Sequence, residues 1–192
     1  MHKAGFIAIV GKPNAGKSTL LNTLLGQDLS IVTHKAQTTR HRIRGVVTQS
    51  DYQLVFSDTP GIITPGYQLH QRMMTFVQGA FADADVVLLV YDATGNDMDA
   101  EKFKTLLPTG KKLVVALNKI DLSNQEELEK IVQKIEQQLS PAAIVPISAK
   151  EKFGGEVLIK TLLQFIPEAP PYFDKDTLTD RNERFFAAEI IR

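Results

Sequence analysis

Short hydrophobic runs alternate along the chain with longer segments in which hydrophobic residues recur every three or four positions. The short runs are bounded by turn-forming residues, which is typical of strands. They predict strands at residues 6–10, 43–49, 53–56, 86–91, 113–117 and 142–147. All but the second are hydrophobic almost throughout, which indicates strands that are covered on both faces, as in a parallel sheet.

The longer segments predict five helices, at residues 18–25, 68–82, 99–107, 125–139 and 156–165. Ser123 or Asn124 would cap the fourth helix, and Pro108 and Pro141 lie just beyond two predicted helix ends. A tight turn at Ser50 joins strands 43–49 and 53–56 into an antiparallel hairpin. The alternation of strands and helices predicts an α/β fold with a mostly parallel, doubly wound sheet and one antiparallel edge hairpin.

The pattern changes after Pro167. A proline-rich stretch at residues 168–178 indicates an extended connector. A new amphipathic pattern then begins at Thr179 and includes Phe185, Phe186, Ile190 and Ile191. We therefore expect one domain at 1–167, a linker at 168–178, and the first helix of a second domain at 179–192.

Composition excludes several classes of protein. The 192 residues contain 22 Lys and Arg against 22 Asp and Glu, so no overall positive charge favours nucleic acid or anionic membranes. There is no cysteine, which excludes disulfides, zinc–thiolate sites and a cysteine nucleophile. The longest hydrophobic run, residues 86–91, is far too short to span a bilayer.

A phosphate-binding motif follows the first predicted strand and opens the first predicted helix. Such a glycine-rich loop turns its backbone N–H groups toward phosphate oxygens at a helix N-terminus. The Lys17 ammonium group would bind the β- and γ-phosphates, and the Ser18 hydroxyl would bind Mg²⁺. The motif predicts a nucleoside triphosphate and leaves the base open. It consists of Gly11, Lys12, Pro13, Asn14, Ala15, Gly16, Lys17 and Ser18.

The base is indicated by the sequence Asn118-Lys119-Ile120-Asp121, directly after a predicted strand. The Asp121 carboxylate can accept hydrogen bonds from N1–H and the amino group of guanine, whereas adenine presents an acceptor there and leaves the charge unpaired. We expect Asn118 to join this loop to the phosphate loop and the Lys119 side chain to lie along the base. An ordinary turn after a strand is the alternative interpretation of the tetrapeptide alone.

Two further loops after predicted strands carry suitable groups. Asp58 can hold Mg²⁺ through water, and the N–H of Gly61 can reach a γ-phosphate because no side chain intervenes. A backbone N–H of the later loop is expected to contact the guanine carbonyl. The earlier loop consists of Asp58, Thr59, Pro60 and Gly61, and the later one of Ser148, Ala149 and Lys150.

The polar segment 33–44 lies between the first predicted helix and the hairpin. Thr38 and Thr39 are candidates for a second Mg²⁺ ligand that orders this loop in the presence of a γ-phosphate, with a solvated loop as the alternative. We interpret the local positive charge as solvated surface, with contact to RNA or a partner as the alternative. That charge comes from Lys35, Arg40, His41, Arg42 and Arg44.

In sequence order these motifs are the five signatures of guanine-nucleotide-binding switch proteins. Two stretches are more specific. Residues 35–42 read Lys-Ala-Gln-Thr-Thr-Arg-His-Arg, and the final segment begins Thr-Asp-Arg at 179–181 and ends Glu-Ile-Ile-Arg at 189–192. Together they resemble the Era family of bacterial GTPases across the whole chain. The resemblance implies a Ras-like P-loop GTPase domain, followed at 179–192 by the start of a KH RNA-binding domain whose remainder is absent.

The resemblance also implies a function. Members of the family bind GTP and GDP with Mg²⁺, hydrolyse GTP, and act in 16S rRNA processing and assembly of the 30S ribosomal subunit. The rRNA and the subunit would be bound by the full-length protein through its KH domain. A cytoplasmic monomer with peripheral association at the inner membrane is implied as well. Two alternatives stay open: a sister GTPase of tRNA modification or large-subunit assembly, and a nucleotide-gated binding module with incidental turnover.

Site residues carry over from the family by position. Of the two threonines, Thr39 is favoured, because the Thr preceding Arg is the ligand in related GTPases. Related enzymes place a water-orienting glutamine after Gly61, whereas this chain has Ile62 and Ile63, so hydrolysis should be slow. Potassium-stimulated relatives carry an asparagine at the position of Asn14, which makes it a candidate K⁺ ligand; a simple loop hydrogen bond is the alternative. The catalytic set is Lys17, Thr39, Gly61 and Asn14, and the metal set is Ser18, Thr39 and Asp58. The nucleotide-binding set is residues 11–18, Thr19, residues 58–61, Asn118, Lys119, Asp121 and residues 148–150.

Overall fold

The computed structural model of the chain describes residues 1–29, 42–62, 68–94 and 100–181. Several of the sequence predictions lie outside these residues. They are the Mg²⁺ ligand at Thr38 or Thr39, the basic side chains of Lys35, Arg40 and His41, the side chain of Ile63, and the helix expected beyond Arg181.

One six-stranded sheet forms the centre of the described structure. The strand order is β2-β3-β1-β4-β5-β6, and every neighbouring pair is parallel except β2 and β3, which form an antiparallel hairpin at the edge. The predicted doubly wound sheet with one edge hairpin is therefore confirmed. The strands are β1 (Lys3–Val10), β2 (Ile43–Thr48), β3 (Tyr52–Asp58), β4 (Val86–Asp92), β5 (Lys112–Asn118) and β6 (Ala143–Pro146).

The five predicted helices are also present, with small shifts at their ends. They are α1 (Lys17–Leu25), α2 (Gln68–Asp83), α3 (Ala100–Leu106), α4 (Gln125–Leu139) and α5 (Gly155–Leu163). Of the two candidate caps for α4, Asn124 is the one used, since its side chain accepts a hydrogen bond from the Glu127 N–H at 2.9 Å. In the part of the chain that is described, no helix has the length and hydrophobicity needed to cross a membrane.

The helices cover the two faces of the sheet and bury separate clusters of hydrophobic side chains. Helices α1 and α5 pack on one face through leucines such as Leu21 and Leu158. Helices α2, α3 and α4 pack on the other face, where Phe81, Phe103 and Ile135 are buried. Because both faces are covered, β4 is buried at all seven positions, which explains why its first six residues are hydrophobic.

Residues 168–181, here called the connector, pack against the sheet. Glu168 forms a bridge with Lys3, and the Leu178 carbonyl accepts a hydrogen bond from the Val46 N–H at 2.9 Å. The buried side chain of Gln53 accepts hydrogen bonds from the backbone N–H groups of Tyr172 and Phe173, at 2.7 and 2.9 Å. A buried glutamine needs such partners, so Gln53 fixes the connector to β3.

The interpretation of the basic cluster as solvated surface is wrong for its two described members. Arg42 donates hydrogen bonds to the Ser57 hydroxyl and forms a 2.6 Å ion pair with Asp83, and its side chain is only 14% exposed. Arg44 pairs with Asp83 at 3.3 Å and with Asp180 at 3.6 Å. The hydrogen bond from Arg42 holds the pKa of Asp83 below its ordinary value. The sequence could not indicate this, because Asp83 lies at the end of α2, far along the chain.

Candidate nucleotide-binding site

The predicted motifs meet at the carboxyl ends of the parallel strands. The phosphate loop follows β1, residues 59–62 follow β3, the base loop follows β5, and residues 147–150 follow β6. These four strands are parallel, so their carboxyl ends lie on the same side. In an open α/β sheet, ligands bind at the carboxyl ends of the strands, at the point where the strand order reverses. Here that point lies between β1 and β4.

Gly16 sets the close approach between the phosphate loop and the base loop. It caps α1 with a left-handed backbone, φ 95°. A β-carbon at this position would lie 2.2 Å from Nδ2 of Asn118, which no packed structure tolerates. Asn14 also has a left-handed backbone, φ 62°, and is exposed. The loop therefore depends on glycine at position 16 for both conformation and space.

Lys17 folds its side chain back over the phosphate loop. Its ammonium group donates hydrogen bonds to the carbonyls of Gly11 and Lys12, at 3.2 and 2.8 Å, and the residue is 7% exposed. Burial lowers the pKa of Lys17 to about 8, and the negative charge of Asp58 offsets part of that effect. A phosphate group entering the loop would add further negative charge beside this buried cation.

Ser18 and Asp58 form a pair of oxygen donors beside that lysine. The Ser18 hydroxyl donates a hydrogen bond to Oδ2 of Asp58 at 2.8 Å, and Asp58 is fully buried at the end of β3. A hydroxyl and a carboxylate are hard donors of the kind that Mg²⁺ takes alongside phosphate oxygens and water. The residues present therefore fit a magnesium ion.

The loop after β3 is fixed to the phosphate loop. The Thr59 hydroxyl donates to the Ile9 carbonyl at 2.8 Å, and the Ile62 N–H donates to the Gly11 carbonyl at 2.9 Å. A β-carbon on Gly61 would lie 2.7 Å from the backbone nitrogen of Pro13. The Ile62 side chain packs against the hydrophobic cluster beneath α2. This loop thus brings the Gly61 backbone next to the phosphate loop and offers no polar side chain at Ile62.

Asn118 joins three of the loops. Its side-chain amide donates to the Ala15 carbonyl at 2.9 Å, and its side-chain oxygen accepts from the Ala149 N–H at 2.9 Å. The residue is 2% exposed, so both hydrogen bonds are shielded from water. The expected link between the base loop and the phosphate loop is therefore present. The Ala149 N–H therefore already has a partner in the Asn118 side chain. The expected contact between a backbone N–H of this loop and the guanine carbonyl stays a prediction.

The other residues of the base loop are more exposed than Asn118. Asp121 lies exposed in a single turn of 3₁₀ helix, Ile120–Leu122. Lys119 has a left-handed backbone, φ 66°, and its ammonium group lies 2.5 Å from Oδ2 of Asp92. In the loop after β6, the Lys150 side chain is 83% exposed and pairs with Glu151 at 3.7 Å. Asp92 was not predicted to belong here, because its place beside Lys119 follows only from the pairing of β4 with β5.

Comparison with known proteins agrees with this geometry. Residues 6–119 match the family described as 50S ribosome-binding GTPase. The chain is 46% identical over 192 residues to GTPase Era of Bordetella avium, covering 99% of this chain and 65% of that protein. The chain thus spans just under two thirds of the length of that relative.

Two solved structures have nearly the same fold. One is Era in complex with MgGDPNP and nucleotides 1506–1542 of 16S ribosomal RNA, with TM-score 0.94 and 39% identity over all of this chain and 66% of that one. The other is a tyrosine-to-alanine variant of Aquifex aeolicus Era bound to GDP and AlF₄⁻, with TM-score 0.93 and 40% identity over 98% of this chain and 65% of that one. The chain belongs to the 50S ribosome-binding GTPase family, and it resembles the Era proteins over nearly its full length.

Proposed function

We propose that the chain is the guanine-nucleotide-binding domain of an Era-type switch protein, which binds GTP and GDP with Mg²⁺ and hydrolyses GTP slowly. The observation that carries this proposal is the position of Asn118, whose buried side chain joins the phosphate loop, the base loop and the loop after β6. A phosphate loop alone accepts any nucleoside triphosphate. Its direct connection to a loop that carries Asp121 supports guanine as the base.

Each part of the nucleotide has a matching group. The backbone N–H groups at the start of α1 and the Lys17 ammonium group bind the phosphates. Ser18 and Asp58 would hold the metal, and Thr39 would be the additional ligand when the γ-phosphate is present. When bound, Mg²⁺ neutralises charge on the β- and γ-phosphate oxygens. Asp121 accepts hydrogen bonds from the guanine edge.

Hydrolysis requires a water molecule in line with the γ-phosphate and stabilisation of the charge that develops on the leaving oxygen. The Gly61 backbone lies next to Pro13 of the phosphate loop, which supports its N–H as the proposed donor to the γ-phosphate. The Ile62 side chain packs against a hydrophobic cluster and has no hydrogen-bonding group with which to orient water, so we expect turnover on the order of 10⁻⁴ to 10⁻² s⁻¹. Asn14, an exposed residue of the phosphate loop, is the proposed ligand for a K⁺ ion that would add positive charge near the phosphates.

In the cell, we propose a role in 16S rRNA processing and assembly of the 30S subunit. The family description names the large subunit, whereas the similar proteins are called Era and one was solved with 16S rRNA. The agreement over the whole chain favours the small subunit over a sister GTPase of tRNA modification or large-subunit assembly. RNA binding is assigned to a KH domain that begins with residues 179–192, and the protein is proposed to be a cytoplasmic monomer with peripheral inner-membrane association.

Base selectivity tests the nucleotide part of the proposal. The wild-type chain should bind a fluorescent GDP analogue that GTP displaces and ATP does not. Asp121→Asn should shift preference from GTP toward XTP, because an amide donates where xanthine offers a carbonyl. Asp51→Asn is the matched control, since Asp51 is an exposed carboxylate in the turn between β2 and β3, at the opposite end of the strands from the site. Unchanged GTP preference in Asp121→Asn would remove Asp121 from base reading.

Binding to ribosomal components tests the second part. The full-length gene product should bind a 16S rRNA fragment of nucleotides 1506–1542 and 30S subunits, and this 192-residue chain should bind both much more weakly. Preference for 50S subunits or tRNA would favour the sister-GTPase alternative. Single-turnover GTP hydrolysis with and without 30S subunits separates an enzyme from a binding module. For an enzyme the subunit should change the hydrolysis rate, whereas for a binding module with incidental turnover it should not.

A further inference from the structure

Asp92, the last residue of β4, belongs to none of the nucleotide-binding motifs. We infer that Asp92 is a positioning residue for the base: it fixes the Lys119 side chain in place before guanine arrives, and so strengthens nucleotide binding without reading the base. This inference rests on the proposed function, because it assigns a role within the same site.

The two carboxylate oxygens of Asp92 have separate partners. Oδ2 lies 2.5 Å from the Lys119 ammonium group. Oδ1 accepts hydrogen bonds from the Thr94 N–H at 2.9 Å and from the Thr94 hydroxyl at 2.7 Å. The Asp92 side chain is 5% exposed, whereas that of Lys119 is 30% exposed. One oxygen therefore shapes the turn after β4, and the other is available to hold the lysine.

The end of β4 supports the base loop at two further points. The Ala93 N–H donates to the Asn118 carbonyl at 2.9 Å, and the Ser123 hydroxyl donates to the Ala93 carbonyl at 3.1 Å. Asp92 and Asn118 are also direct partners in the pairing of β4 with β5. The backbone on either side of Lys119 is thus fixed against β4, and the ion pair fixes the side chain as well.

Fixing this side chain in advance matters because lysine has many rotamers. A lysine that must become ordered when the base binds loses side-chain entropy at that moment, and this loss weakens binding. The ion pair with Asp92 removes that loss, because the Lys119 side chain is already ordered. It also holds the ammonium group at Asp92, which leaves the methylene groups of Lys119 to contact the base. Burial acts to raise the pKa of Asp92, but the hydrogen bonds from Lys119 and Thr94 hold it below its ordinary value, so the carboxylate stays ionised at neutral pH.

The test is a double-mutant cycle on GDP affinity, measured with a fluorescent GDP analogue at saturating Mg²⁺. Asp92→Asn should weaken binding about tenfold, mainly through faster dissociation, and leave the preference for guanine over xanthine unchanged. In a Lys119→Met background the same substitution should have little further effect, because Asp92 acts through Lys119. Thr94→Val is the matched control: it removes a donor to the same carboxylate but leaves the ion pair, and should stay within about twofold of wild type.

Thermal unfolding of each nucleotide-free variant shows whether it folds. If Asp92→Asn does not fold, Asp92→Glu is used in the same cycle, since it keeps the charge and displaces the oxygens by one methylene. Wild-type affinity in the folded Asp92 variant, or an undiminished loss in the Lys119→Met background, would overturn the inference and leave the proposed function standing. Failure of the wild-type chain to bind GDP would refute the proposed function and this inference with it.

Discussion

The buried ammonium group of Lys17 should make nucleotide binding a proton-uptake reaction at mildly alkaline pH. Its pKa is about 8 in the nucleotide-free chain. Phosphate groups at hydrogen-bonding distance should raise that pKa to its ordinary value of 10.5 or above. About three quarters of Lys17 is neutral at pH 8.5 before binding, so about 0.7 proton should be taken up per nucleotide. From pH 7 to pH 8.5, affinity should fall about fourfold.

Linkage also fixes the sign of the effect on stability. The pKa of Lys17 in the folded chain lies below the unfolded value, so the unfolded chain binds more protons between about pH 8 and pH 10.5. The cost of burying the charge, on the order of 3 kcal/mol, is fully present below pH 8 and is relieved as pH rises through that window. Lys17 alone should therefore make the nucleotide-free chain more stable toward pH 10.5, while nucleotide binding becomes weaker.

Calorimetric titration with GDP in two buffers of different ionisation enthalpy measures this proton uptake directly. Working at or below pH 8.5 keeps the N1 proton on guanine. Lys17→Arg is the control, because arginine keeps its charge throughout and reports any proton exchange of the nucleotide itself. Equal apparent enthalpies in both buffers at pH 8.5, with affinity independent of pH, would refute the argument that burial lowers the pKa of Lys17.

Three other predictions concern the phosphate loop and the edge hairpin. Single-turnover GTP hydrolysis should be faster in KCl than in NaCl at matched ionic strength, and Asn14→Ala should abolish the difference; equal rates for the parent chain would remove the K⁺ proposal. Gly16→Ala should weaken GDP binding at least about tenfold, because its β-carbon would meet Asn118 and its φ is 95°; wild-type affinity would show that the loop has room. Arg42→Ala should lower the free energy of unfolding by about 1–3 kcal/mol, because it removes the hydrogen bonds to Ser57 and Asp83. The control is Lys130→Ala, which breaks an exposed ion pair on α4 and should change the free energy of unfolding by less than about 0.5 kcal/mol. Chemical denaturation compares these two variants, and equal effects would contradict the burial argument.

The sequence predicted those features that depend on neighbouring residues or on chain direction. Strands such as β4 are hydrophobic at almost every position because both faces are covered, and the phosphate loop has a fixed spacing. Parallel strands bring their carboxyl ends together, which is why loops distant in sequence could be assigned to one site.

Features that depend on a single distant side chain could not be predicted. Asp92 meets a residue 27 positions away, Arg42 one 41 positions away, and Gln53 binds backbone groups up to 120 positions away. In each case a polar residue in or next to a strand gives no sign of its partner. The solvated interpretation of Arg42 failed for this reason, and Asp92 was missed.

The hydrogen bonds of Asn118 have a consequence for the order in which the chain folds. They connect it to Ala15 and Ala149, which are 103 and 31 positions away. Closing a long loop costs more chain entropy than closing a short one, so we expect the contact with Ala15 to form after the strands between the two residues have paired. A chain emerging from the ribosome would thus become competent to bind guanine nucleotide only once residue 149 is available, and the first bound nucleotide would act as a late ligand that stabilises the finished sheet.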